Sequence, residues 1–81
     1  MDANQILSDL NKIFRDVLDN NNINLTAATT AKDIDEWDSL SNIHLVIEIE
    51  RKFKLRFTTS EIQGWKNVGE LVANIEKKTN K

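Results

Sequence analysis

Cysteine and proline are absent from these 81 residues, glycine occurs twice, as Gly64 and Gly69, and His44 is the only histidine. Without cysteine there is no disulfide framework and no thiolate metal site. A single histidine excludes a histidine-rich metal centre. Two glycines in the C-terminal half make no glycine-rich phosphate loop. No apolar run approaches the ~20 residues of a membrane span, so no membrane insertion is expected. The opening MDANQILSDL has neither the basic start nor the apolar stretch of a secretory signal. The chain is expected to be soluble and cytoplasmic. The length fits one domain, residues 1–81, with a modest core and little room for an enclosed active site.

Charge is also short: the net value is −2. It is unevenly spread, since residues 1–38 hold eight acids against three bases and residues 39–81 hold five acids against eight bases. Asymmetry of this kind marks a charged docking face. A nucleic-acid binder would carry a stronger basic excess, so no nucleic-acid partner is expected.

What is present is helical periodicity. In ANQILSDLNKIFRDVL, residues 3–18, Ile6, Leu7, Leu10, Ile13, Phe14, Val17 and Leu18 recur three or four apart on one face. Asp2 can cap this helix, with Gln5 at capping-box distance. Residues 19–38 then form a long polar connection in which Ile23, Leu25, Ile34 and Trp37 are the expected anchors. So long a loop in a small domain is commonly functional. Its Asn24-Leu25-Thr26 triplet matches a glycosylation acceptor and reads as chance in a chain without a secretion signal. Residues 39–53 make a second helix whose Leu40, Ile43, Leu45, Val46, Ile47, Ile49 and Phe53 cover more than one stripe. Such a helix is either central or carries an exposed apolar edge. After KLRFT, a short helical turn begins at Thr58 or Thr59, with Glu61 completing a capping box, and ends near Gly64. A last helix starts at Asn67 and buries Val68, Leu71, Val72 and Ile75. Residues 77–81 are expected to fray. The expected fold is an all-α, small four-helix bundle: three main helices, one short helix and a long first loop.

No catalytic constellation accompanies this scaffold. His44 lies five residues after Ser39, so it points roughly away from that hydroxyl, and no base serves the serine as a nucleophile. Asp33, Asp35, Glu36 and Asp38 cluster without the spacing of a calcium loop. Ser39 itself has two readings. Serines at helix starts commonly cap. Alternatively Asp38 caps and Ser39 is left free at the positive end of the helix, where a phosphate on its hydroxyl would be well placed. Trp37 and Trp65 read as packing residues and His44 as a surface histidine. The run Arg51, Lys52, Lys54, Arg56 reads as a solvated face suited to a helix C-terminus, or else as a site for an acidic enzyme patch.

Asp38-Ser39-Leu40 opening an apolar helix after a long loop resembles the acyl carrier protein family. The resemblance spans nearly the whole chain, through the amphipathic first helix, Trp37-Asp38-Ser39-Leu40, the run 43–53 and Asn67-Val68-Gly69-Glu70-Leu71. It implies that Ser39 carries covalent 4′-phosphopantetheine, with Asp38 and Leu40 completing the motif. It also implies a non-catalytic carrier, a monomer holding acyl or aminoacyl thioesters. Its partners would be a phosphopantetheinyl transferase and acyl-loading and acyl-processing enzymes. Partner contacts would come from the second helix and the loop before it, through Trp37, Ser41, Ile43, His44, Ile47, Glu48 and Arg51. Three departures from the family pattern point to a specialised member: Glu36 where glycine is frequent, Ser41 where an acid often follows, and bases through the second helix. The alternative is an unmodified helical interaction module using the same exposed edge.

Overall fold

The computed structural model describes residues 2–79. The elements are α1 (Ala3–Val17), a 3-10 turn (Ala31–Asp33), α2 (Ser39–Phe53), α3 (Thr59–Gly64) and α4 (Val68–Thr79). The all-α expectation, with three main helices and one short one, is met. α1 packs chiefly against α2 and α4. Ile6, Leu10, Phe14 and Leu18, spaced by four, are all buried, and Leu7, Ile13 and Val17 flank them. Leu45, Ile49 and Phe53 of α2 and Val68, Leu71, Val72 and Ile75 of α4 close the core.

The caps follow the local sequence. Asp2 accepts the Gln5 N–H at 2.8 Å, but the expected return bond from the Gln5 side chain is not made. Gln5 Nε2 instead donates to buried Asp9 at 3.2 Å, supplying a carboxylate that burial would otherwise leave unpartnered. Thr58 and Glu61 form the expected reciprocal box at the start of α3, and Asn67 accepts the Glu70 N–H at 2.9 Å. Gly64 ends α3 without a left-handed turn. The left-handed residues are instead Asp19 and Lys54, at φ 52° and 56°. Lys54 is the C-cap of α2.

The long connection is not structureless. Ile23, Leu25 and Ile34 are buried as anchors. Arg15 Nε donates to the Ile23 carbonyl at 2.7 Å, and Asn11 accepts the Leu25 N–H at 2.7 Å. At its far side the loop is stitched to the start of α4. Val68 and Gly69 donate their N–H groups to the carbonyls of Thr29 and Ala27, both at 2.8 Å. A Cβ on Gly69 would sit 2.9 Å from the Ala27 carbonyl oxygen, which explains glycine at that position.

Residues 77–79 of the tail expected to fray are helical. α4 continues to Thr79 because Lys78 pairs with Glu61 of α3 at 3.0 Å and Thr79 Oγ1 donates to the Ile75 carbonyl at 2.9 Å. Residues 80 and 81 lie outside the described residues.

Candidate functional site

The loop delivers the chain to α2 through Trp37. Its ring meets Phe14 edge to face at 4.9 Å, and its indole N–H donates to Asn42 Oδ1 at 2.9 Å. This anchors the last loop residue on α1 and on α2 together. Trp37 is half-buried by these contacts.

The next residue, Asp38, is the N-cap of α2. Its Oδ1 accepts the Ser41 N–H at 2.9 Å, and Ser41 Oγ accepts the Asp38 N–H at 2.8 Å. Ser41 Oγ in turn reaches the Glu36 carbonyl at 2.8 Å, with the Asp38 carbonyl at 3.3 Å as the second acceptor. The Ser41 backbone N–H, joined by the Ser41 hydroxyl, holds the Asp38 carboxyl below its ordinary value of 3.8. A serine thus takes the place that glutamate or glutamine fills in the usual capping box.

Ser39 is therefore not the cap of α2. It is the first residue of α2 and is exposed, and Asp38 with Ser41 makes the cap. Among the described residues no side chain or backbone group hydrogen-bonds the Ser39 hydroxyl. Beside it runs an open groove of about 330 Å³ lined by Ala31, Trp37, Asp38, Asn42, Ile62 and Trp65. Sequence reasoning did not place Asn42, Ile62 and Trp65 here. A polar Asn42 inside an apolar run was the available signal, but the approach of α3 depends on contacts remote in sequence.

Leu40, Ile43 and Ile47 form an exposed apolar stripe along α2, at 80%, 60% and 46% exposure. His44 is exposed on the same helix, and Arg51 meets Glu48 at 3.5 Å. Two of the neighbouring acids are separately engaged: Asp33 accepts the Thr30 N–H at 2.9 Å and Glu36 accepts from Asn20 at 3.0 Å. Among the described residues no group of three His, Cys, Asp or Glu side chains is arranged to hold a metal. No helix among them is long and apolar enough to cross a membrane.

At the other end of the groove α3 is fixed to α4. Asn74 donates to Glu61 Oε2 at 2.9 Å and accepts the Trp65 indole N–H at 3.1 Å. The Thr58 N–H, then Asn74 and Lys78, hold the Glu61 carboxyl at about 2, against an ordinary value of 4.5.

Residues 8–75 match the family described as phosphopantetheine attachment site. The solution structure of a holo acyl carrier protein from Geobacter metallireducens is 45% identical, over 90% of this chain and 84% of that one, with a TM-score of 0.85. A comparison with curated proteins finds no match.

Proposed function

The chain belongs to the phosphopantetheine-attachment family of acyl carrier proteins, and from that premise we propose that Ser39 is the residue that bears the 4′-phosphopantetheine. It is a carrier rather than an enzyme. The observation that carries the assignment is the division of labour at the start of α2: Asp38 and Ser41 complete the cap, so the exposed Ser39 hydroxyl is left for attachment. A phosphodiester on Ser39 stands at the positive end of α2, which favours an anion. Once attached, the arm supplies the thiol that the cysteine-free chain lacks, and an acyl group rides on it as a thioester. Ser39 contributes the oxygen that receives the phosphate. Asp38 and Ser41 keep the helix start rigid beneath it, and Trp37 locks the preceding loop to α1.

A phosphopantetheinyl transferase would install the arm from coenzyme A, using a divalent metal of its own. Acyl-loading and acyl-processing enzymes would then meet a monomeric carrier in the cytoplasm. The exposed stripe Leu40, Ile43 and Ile47 suits such encounters, with Trp37, Ser41, His44, Glu48 and Arg51 beside it. Glu36, Ser41 and the basic end of α2 favour a specialised biosynthetic pathway over general fatty-acid synthesis. Efficient use by a reconstituted fatty-acid synthase set would count against that narrower reading.

The test of attachment is intact mass after incubation with coenzyme A, magnesium and a broad-specificity phosphopantetheinyl transferase. The wild-type chain should gain one phosphopantetheine group, and Ser39→Ala none. No gain by the wild type, with the transferase active on a control carrier, would overturn the assignment and leave an unmodified interaction module.

A further inference from the structure

α2 changes character along its length. Near Ser39 the exposed groups are acidic: Asp33, Asp35, Glu36 and Asp38. The middle exposes Leu40, Ile43 and Ile47. Beyond Ile47 the exposed groups are Arg51, Lys52, Lys54 and Arg56. Fifteen helical residues separate the two ends by about 22 Å, well beyond a Debye length in physiological salt. A partner therefore meets two distinct fields.

The cationic end holds unspent charge. Among the described residues, Arg51 alone of the four has a carboxylate partner, Glu48 at 3.5 Å, and an exposed pair of this kind binds weakly. Glu50 forms no salt bridge with the others, and its Oε2 is turned to accept the Phe57 N–H at 2.8 Å. Arg51, Lys54 and Arg56 line an open groove of about 490 Å³ together with Ile47, Leu55 and Glu50. Lys54 sits there at φ 56°, a conformation that glycine adopts at less cost. A lysine at this position keeps a cation on the groove.

We propose that this groove docks an acidic protein surface: a partner that places an apolar side chain against Ile47 and Leu55 and carboxylates against Arg51, Lys54 and Arg56. The proposal rests on the carrier reading in one respect, that the partner is an enzyme acting on the cargo of Ser39. An acidic patch on that enzyme, about 22 Å from the mouth of its active site, would fix the direction in which α2 lies across it. Charge selects a protein over the other anionic candidates. A nucleic acid or an anionic membrane approaching α2 along its length would meet the acids around Ser39 as well as the bases.

The experiment titrates the wild-type chain, apo and holo, with an amphipathic helical peptide of leucine and glutamate, and reads amide chemical shifts. Matched comparators are a leucine–lysine peptide, phosphatidylglycerol vesicles and a short DNA duplex. Saturable shifts over residues 47–56 with the glutamate peptide alone are expected. The variant Arg51→Glu/Lys54→Glu/Arg56→Glu should bind roughly tenfold more weakly. Arg51→Gln/Lys54→Gln/Arg56→Gln should also bind more weakly, and it decides the matter if the reversed variant does not fold. Equal binding of the lysine peptide, tighter binding of vesicles or DNA, or unchanged affinity in the folded variants would overturn the proposal. Ser39 attachment is scored separately by mass on the wild-type chain, so failure of the groove and failure of the carrier reading are distinguishable.

Discussion

Ser39 and Ser41 are two residues apart and chemically identical, yet the fold gives them opposite roles. The motif made Ser39 a candidate from sequence alone. That Ser41 would close the cap was not legible, because serine at that position lacks the reach of the usual glutamate and works here only through the short path to Asp38 and Glu36. The cap carries an acid dependence. Asp38 is held below its ordinary value mainly by the Ser41 N–H, and Glu61 is held at about 2 mainly by the Thr58 N–H. A depressed carboxylate stabilises the fold above its unfolded pKa, and that contribution disappears as pH falls through the folded value. Thermal stability should therefore decline on acidification below about 4.5, towards about 2 for Glu61. Asp38→Asn and Glu61→Gln should each be less stable than wild type at neutral pH and show a shallower decline in acid. Asp38 is exposed and Glu61 half-buried, so solvent screening keeps the effects small. Melting curves across that range are the measurement, and an acid profile unaltered in both variants would rule out this origin.

Among the elements, α2 was the most legible, bounded by an Asp cap and a run of apolar residues ending at Phe53. The end of α4 was the least. Its lysines read as a fraying tail, and the contact that holds Lys78, with Glu61, is made between residues seventeen apart. The loop was legible in its anchors, Ile23, Leu25, Ile34 and Trp37, but not in its hydrogen bonds to Asn11 and α4, which depend on tertiary placement. Gly69 belongs to this set. Replacing it with alanine gains up to about 1 kcal/mol of helix propensity. The added Cβ, however, meets the Ala27 carbonyl at 2.9 Å, and overpacking costs about 1–3 kcal/mol. The backbone carbonyl cannot swing aside without loosening the Gly69 N–H bond it accepts. Gly69→Ala should therefore lower the denaturant midpoint, whereas an increase would mean that the loop shifts freely.

At the scale of the whole molecule, the core is small and each large side chain matters. A domain of 81 residues has about 4–12 kcal/mol of net stability. Phe14 is fully buried among α1, α2 and α4 residues and carries the Trp37 ring on its edge. Phe14→Ala should cost about 3–5 kcal/mol, enough to leave a marginal fold, as chemical unfolding would show. A loss below about 1 kcal/mol would mean that the surrounding core collapses into the space. The aromatic inventory of the molecule has another consequence. There is no tyrosine, and the two tryptophans, Trp37 and Trp65, both line the groove beside Ser39. Light absorbed near 295 nm is therefore re-emitted from the walls of one groove, by two indoles whose N–H groups are tied to asparagines on α2 and α4. The protein has its own optical gauge: an arm that lies along the groove alters emission, while one that extends into solvent leaves it as it was.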